Sequence, residues 1–127
     1  MVLNRKIIIY SIVGLFTIIL FSVFLVKQNN TPGKYDQFAS CLGEKGAKFY
    51  GAFWCPHCRN QKSLFGKSSD KLPYVECSTP DGNGQLEVCK NAGIESYPTW
   101  IFSDGTKESG ELTLEQLSEK TTCKITQ

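Results

Sequence analysis

Two cysteines separated by two residues, Cys55 and Cys58, are the side chains of this 127-residue chain best suited to chemistry. A Cys-x-x-Cys pair can close a disulfide and exchange it with other thiols, because a thiolate attacks a disulfide sulfur. A helix is predicted over residues 56–65, with Pro56 in its first turn. Cys55 then lies at the N-terminus of that helix, where free N–H groups and the helix dipole stabilise an anion. We therefore predict that Cys55 attacks and that Cys58, one turn further on, resolves the mixed disulfide.

The residue between the cysteines, His57, is the only histidine in the chain. Beside the Cys55 thiolate it would stabilise the reduced pair and make the disulfide a stronger oxidant. An exposed histidine without a role is the alternative. The motif is also half of a four-ligand zinc site. We predict no metal, because the chain has no second Cys-x-x-Cys and no other histidine.

Helices and strands alternate along the rest of the sequence. Helices are predicted over residues 35–45, 56–65, 86–92 and 113–120, and strands over 47–53, 73–77, 99–102 and near Lys107. Thr113 and Gln116 have the spacing of a capping box at the start of the last helix. Alternation implies parallel strands, and a hairpin turn at 103–105 adds an antiparallel edge. The expected fold class is α/β: a mixed sheet of about four strands with helices on both faces.

A run of twenty uncharged residues, 7–26, precedes this domain. As a helix it would be roughly 30 Å long, which matches the hydrocarbon core of a bilayer. A signal peptide has a shorter apolar region and small residues at its cleavage site, and SVFLV at 22–26 offers no good site. We predict a retained single-pass membrane anchor. A cleaved signal and a buried helix of a soluble core are the alternatives.

The charges that flank this run predict its orientation. Arg5 and Lys6 precede it and only Lys27 follows it closely. Because positive charge stays in the cytoplasm, the folded domain is expected in the periplasm or another extracytoplasmic space. The predicted cytoplasmic N-terminus, anchor, linker and folded domain are residues 1–6, 7–26, 27–33 and 34–127.

The composition of the predicted outer domain limits its partners. After residue 27 the chain has eleven basic and twelve acidic side chains, so that this part is close to neutral. A near-neutral domain gives no reason to expect nucleic acid or an anionic surface as a partner. No cofactor is predicted. All cysteines follow the anchor, and an even number in a short exported domain is typical of disulfides.

Three segments around the motif are similar to one family. They are KFYGAFWCPHCRNQKSLFG, LPYVEC and VCKNAGIESYPTWIF, at residues 48–66, 72–77 and 88–102. Over roughly residues 35–122 the chain resembles the thioredoxin superfamily, and these segments resemble the thioredoxin-like domain associated with bacterial vitamin K epoxide reductase homologues. That domain takes electrons from secreted proteins and passes them to the membrane reductase, which gives them to quinone. The resemblance implies a separate, anchored version of the domain here.

The same resemblance assigns roles to residues near the motif. It implies that Pro98 is a cis-proline facing the two cysteines and that Tyr97 presents a backbone edge to a substrate strand. It also implies that Trp54, Pro56 and Tyr97 contact the substrate, with Trp54 as an apolar lip of the site. The alternative for Pro98 is an ordinary proline at the start of a strand. The alternative for Trp54 is an aromatic residue of the core.

One position departs from the pattern of reducing thioredoxins. Many of them carry a buried Asp six residues before the first cysteine, where it assists proton transfer, and this chain has Phe49 there. The missing acid weakens the reductant interpretation. It leaves open that Glu76 or water takes over that role.

Four cysteines lie outside the motif. The resemblance implies a structural disulfide between Cys77 and Cys89, and a second redox pair is the alternative. Cys41 and Cys123 remain, and by elimination we expect them to pair and to tie the first helix of the domain to the C-terminal tail.

Three functions fit these observations. The leading one is a dithiol oxidase of exported protein thiols that passes electrons to a membrane reductase of the vitamin K epoxide reductase family. The second is an anchored disulfide reductase or isomerase. The third is a disulfide-braced binding domain without catalysis.

Overall fold

The computed structural model describes residues 2–29 and 31–126. It contains two compact units, Met1–Thr31 and Pro32–Gln127. The α-helices are α1 (Val2–Asn29), α2 (Asp36–Glu44), α3 (Pro56–Ser63), α4 (Glu87–Asn91) and α5 (Leu114–Thr121). The strands are β1 (Lys48–Gly51), β2 (Tyr74–Glu76), β3 (Thr99–Ile101) and β4 (Lys107–Ser109), and a 3-10 helix covers Gly66–Lys71.

Helix α1 forms the first unit and includes the predicted anchor. Its segment Asn4–Lys27 is long and apolar enough to cross a membrane, a property that anchors and signal sequences share. The hydroxyls of Ser11, Thr17 and Ser22 donate to backbone carbonyls three or four residues earlier, so that these polar groups are satisfied within the helix. The helix continues to Asn29, through the first part of the predicted linker. Asn30, also in that linker, lies outside the described residues.

The second unit is built on one mixed sheet with the order β2-β1-β3-β4. Strand β1 runs parallel to β2 and antiparallel to β3, and β3 runs antiparallel to β4. The predicted mixed sheet is confirmed, whereas the expectation that the strand at 99–102 runs parallel is wrong. The reason is the length of α4: its 5 residues measure only about 7.5 Å. Such a short helix does not return the chain to the far end of the sheet, so β3 starts where β2 ends.

Alternate residues of β1 face two cores. Phe49 stacks on Trp100 at a centroid distance of 4.8 Å, and this face packs against helices α2 and α5 through Phe38 and Leu117. Tyr50 belongs to the smaller core on the opposite face, together with Ile94, Cys77 and Cys89. Helices therefore cover both faces, and the sheet holds the end of β1, from which the motif follows, between two packed layers.

Local signals explain several element ends. Thr113 Oγ1 accepts from the Gln116 backbone N–H and Gln116 Oε1 accepts from the Thr113 N–H, so the predicted capping box is present. Gly66 ends the segment after α3 with a φ of +55°, a conformation that suits glycine. The 3-10 helix that follows was not predicted, because its polar sequence GKSSDK has no apolar periodicity.

Candidate active site

The two motif cysteines lie where β1 passes into α3. Cys55 precedes the helix with an extended backbone, and Pro56 is its first residue. Both cysteines are free thiols, and Cys58 is the more buried of the two, with 1% of its surface exposed against 5% for Cys55. Burial raises the pKa of the Cys58 thiol to about 12. Cys58 is thus a protonated, shielded thiol at neutral pH, as suits a resolving cysteine.

The loop before β3 faces Cys55. The Cys55 thiol donates to the carbonyl oxygen of Tyr97 over 3.6 Å. The Tyr97–Pro98 peptide bond is cis, and Pro98 is fully buried. The structure therefore brings together four of the predicted site residues: the two cysteines, Tyr97 and Pro98.

Aromatic side chains border the same place. Trp54 and Tyr97 meet edge to face with ring centroids 6.0 Å apart. Trp54 is 46% exposed and its neighbour Phe53 is 52% exposed. Trp54 is therefore not a core residue, and its role as a lip that contacts the substrate stays a prediction. Pro56 is also exposed there.

His57 makes a contact that the sequence did not reveal. Its Nδ1 lies 2.7 Å from Glu111 Oε1, which also accepts from Asn60 Nδ2 at 3.3 Å. The hydrogen bond from His57 lowers the pKa of the Glu111 carboxyl. The next residue, Leu112, is held by buried Gln61, whose Oε1 accepts from the Leu112 N–H at 2.7 Å. Glu111 is 54 positions from His57, and no local pattern marks it, so only the fold pairs them.

Replacing His57 with alanine is expected to raise the pKa of the Glu111 carboxyl towards its ordinary value. The hydrogen bond from His57 is the largest cause of the lowered pKa. Because the bond favours the carboxylate, its contribution to stability is present above the ordinary glutamate pKa and is lost as pH falls through the folded value. A titration of the Glu111 side-chain carboxyl by 13C NMR measures this change. Asn60→Ala is the control and should give a smaller rise; a larger rise than that of His57→Ala would contradict the assignment.

The ring of Phe49 fills the position where many reducing thioredoxins carry a buried Asp. Its ring packs between Trp100 and Tyr74, with centroids 4.8 Å and 5.1 Å away. The Tyr74 hydroxyl donates to Glu76 Oε2 at 2.8 Å. Burial, followed by this hydrogen bond, raises the pKa of Tyr74 above its ordinary value, so that the phenol stays protonated. Glu76 therefore lies near the site as a hydrogen-bonded partner of Tyr74, and its role in proton transfer stays a prediction.

Gly51, at the end of β1, makes room for Cys58. A Cβ atom added at Gly51 would lie 2.7 Å from Cys58 Sγ and 2.9 Å from Tyr74 Cε2. The resolving thiol and the tyrosine ring thus occupy the space that any side chain would need. The sequence does not mark this glycine, because the need for a residue without a side chain arises from two other elements, α3 and β2.

Gly51→Ala is expected to lower the free energy of unfolding by about 1–3 kcal/mol, since overpacking displaces neighbouring groups. It should also slow closure of the Cys55–Cys58 disulfide, because Cys58 Sγ is the nearest atom to the new methyl group. Urea unfolding and the rate of intramolecular disulfide formation measure the two effects. Gly43→Ala is the matched control: its Cβ would meet only Pro73 Cβ, at 3.5 Å. Equal behaviour of the two variants would show that Gly51 is not needed for its small size.

The remaining cysteines form two disulfides. Cys77, just after β2, is bonded to Cys89 of α4, and Cys41 of α2 is bonded to Cys123 of the C-terminal tail. Within residues 2–29 and 31–126, no three His, Cys, Asp or Glu side chains are grouped to hold a metal ion. The free thiols in the described part of the chain are thus Cys55 and Cys58.

Comparison with known proteins places this site in a family. The family model described as Thioredoxin matches residues 44–124, which include both motif cysteines and Pro98. The chain belongs to the thioredoxin family. The expected thioredoxin-like fold is therefore confirmed, and the four-stranded mixed sheet is the thioredoxin sheet of this chain.

Individual relatives cover only the thioredoxin part. The chain is similar to the thiol-disulfide oxidoreductase LTO1 of Arabidopsis thaliana, with 49% identity over 88 residues, 65% of this chain and 23% of LTO1. It is also similar to the protein disulfide-isomerase erp38 of Neurospora crassa, with 26% identity over 61% of this chain and 22% of erp38. A crystal structure of Malassezia sympodialis thioredoxin matches with a TM-score of 0.42 and 24% identity, over 72% of this chain and 87% of that one. The chain thus spans less than a quarter of the length of LTO1 and erp38.

Proposed function

We propose that this chain is a membrane-anchored thiol–disulfide oxidoreductase that oxidises cysteines of exported proteins. The observation that carries the proposal is the position of Cys55 Sγ, at the start of α3 and 3.6 Å from the Tyr97 carbonyl oxygen beside Pro98. Both thiols are buried, and Cys55, which keeps the larger exposed fraction, is the one that a substrate at the rim would meet first. The 49% identity to a thiol-disulfide oxidoreductase supports the same chemistry.

The proposed reaction starts from the Cys55–Cys58 disulfide. A substrate thiolate attacks Cys55 Sγ, a mixed disulfide forms, and the Cys58 sulfur leaves and takes up a proton. A second substrate thiolate then attacks the substrate sulfur of the mixed disulfide, so that the substrate gains a disulfide and Cys55 leaves as a thiolate. Two electrons have moved to the pair. In the proposed cycle they pass on by thiol–disulfide exchange to a quinone-linked membrane reductase of the vitamin K epoxide reductase family.

A redox titration of the full chain in detergent tests the direction of this reaction. The proposal expects a potential closer to about −120 mV, the value of a strong oxidant, than to about −270 mV, the value of thioredoxin. Position 49 holds phenylalanine, where many reducing thioredoxins carry a buried Asp, and this difference favours the oxidant. A potential near the lower value would overturn the oxidase proposal in favour of the reductase or isomerase. A wild-type chain without exchange activity would favour the non-catalytic binding domain.

The proposal places residues 7–26 in the membrane, the N-terminus in the cytoplasm and the thioredoxin domain outside. The long apolar helix α1 and the basic residues Arg5 and Lys6 support this placement. A C-terminal alkaline phosphatase fusion should be active, and the mass of the membrane-purified chain should include α1. An inactive fusion would contradict the orientation, and loss of α1 would indicate a cleaved signal.

A further inference from the structure

A loop closed by a disulfide borders the active site. It consists of residues 78–88, between Cys77 and Cys89, and is called the disulfide-closed loop below. Ser78 and Gln85 face each other as an isolated β-bridge near its base. The Ser78 backbone N–H donates to Glu76 Oε1 at 2.8 Å, and the same oxygen accepts from the Phe53 N–H at 3.2 Å. The base of the loop is therefore joined to the segment that carries the motif.

The two bridge residues each hold one aromatic side chain of the rim. Trp54 Nε1 donates to Ser78 Oγ at 2.8 Å. Gln85 Nε2 donates to the Tyr97 hydroxyl and to the Ile94 carbonyl oxygen, both at 2.8 Å. Trp54 and Tyr97, which also contact each other edge to face, thus each accept or donate one hydrogen bond at neighbouring points near the base of one disulfide-closed loop.

We infer that Ser78 and Gln85 are positioning residues, which hold the side chains of Trp54 and Tyr97 in the arrangement that a polypeptide substrate meets beside Cys55. The inference rests on the function proposed above and adds two residues that hold its binding site in place. Trp54 directly precedes Cys55, and the Tyr97 carbonyl accepts from the Cys55 thiol, so a chain bound to these two residues has its cysteine at Cys55. The exposed rings of Phe53 and Trp54 offer apolar contacts that a small dithiol cannot use.

The expected benefit of the two hydrogen bonds is preorganisation. A side chain such as Trp54 or Tyr97 that is free to change rotamer loses that freedom when a substrate binds. The lost conformational entropy weakens binding. Side chains that a hydrogen bond already holds in one rotamer avoid this loss of entropy. Removal of Ser78 Oγ or Gln85 Nε2 should therefore weaken polypeptide binding and leave the chemistry at Cys55 unaffected.

The binding test uses the full chain in detergent and an unfolded polypeptide with serine in place of cysteine. Gln85→Leu and Ser78→Ala should each raise its Kd about threefold to tenfold, the range of a single net hydrogen bond. Tyr97→Phe removes only the accepting hydroxyl, so its effect and that of Gln85→Leu should not add. Gln37→Leu, the same change on an exposed part of α2, should leave the Kd unchanged. An unchanged Kd in Gln85→Leu and Ser78→Ala would overturn the inference.

A kinetic test distinguishes positioning from a general structural role. With oxidised glutathione present to regenerate the Cys55–Cys58 disulfide, Gln85→Leu and Ser78→Ala should raise KM for the reduced polypeptide and leave kcat, and the rate with dithiothreitol, within about twofold of wild type. An equal loss of rate with both reductants would overturn the inference, since it would mean that the reactive pair itself is disturbed. Because the Kd measurement needs no redox step, it still decides the inference if the oxidase proposal fails its titration.

Discussion

Cys55→Ala is expected to abolish oxidation of substrate thiols, with a loss of at least about a thousandfold, because the residue that forms the covalent intermediate is gone. Cys58→Ala should instead accumulate a mixed disulfide with a disulfide-bonded substrate, because Cys55 breaks the substrate disulfide and no Cys58 thiol is present to release the bound half. The structure explains the asymmetry. Both thiols are buried, but Cys55 keeps 5% of its surface exposed and contacts the Tyr97 carbonyl oxygen, whereas Cys58 keeps 1% and burial raises its pKa to about 12. Cys58 is thus the more covered thiol, and it lacks the thiolate needed to start an exchange at neutral pH.

The measurement compares both variants with the full-length wild type on a reduced cysteine peptide. Oxidation rates of this peptide report turnover, and non-reducing electrophoresis after addition of the same peptide in its disulfide form reports trapping. Iodoacetamide labelling of the reduced wild type at pH 8, read by mass spectrometry, should modify Cys55 and spare Cys58. Trapping by Cys55→Ala rather than by Cys58→Ala, or preferential labelling of Cys58, would reverse the assigned roles.

Removing the Cys41–Cys123 disulfide is expected to destabilise the thioredoxin domain more than removing the Cys77–Cys89 disulfide. The first bridge joins residues 82 positions apart and the second joins residues 12 apart. In the chain-entropy model the longer loop contributes about 4.5 kcal/mol and the shorter one about 3 kcal/mol. Because small domains are stable by only about 5–15 kcal/mol, the double variant Cys41→Ala/Cys123→Ala should lose roughly a third or more of its free energy of unfolding.

Urea unfolding followed by tryptophan fluorescence measures both effects, because Trp54 and Trp100 lie in this domain and Trp100 is fully buried. The double variant Cys77→Ala/Cys89→Ala is the comparison, since it removes the same number of sulfur atoms. It should also weaken polypeptide binding if the disulfide-closed loop positions Trp54 and Tyr97. A smaller loss of stability for the Cys41 and Cys123 pair would show that unfolded-state entropy does not dominate.

The sequence by itself determined the features that depend on neighbouring residues. The start of α3 at Pro56, the capping box of Thr113 and Gln116, and the long apolar helix α1 follow from side chains within a few positions of one another. The pattern around the motif also led to the thioredoxin family, which the family match at residues 44–124 confirms. The prediction of a cis bond before Pro98 came from the resemblance and not from spacing.

Only the tertiary structure decided which distant residues meet at Cys55 and Cys58. The direction of β3 depends on the short crossover through α4, and the partner of His57 is Glu111, held in place by Gln61 and Leu112. These contacts form between segments that lie far apart in the chain, so no local periodicity encodes them. The Cys-x-x-Cys motif therefore predicts a redox pair by itself, whereas the packing around it decides which thiol is shielded and which side chains flank the other.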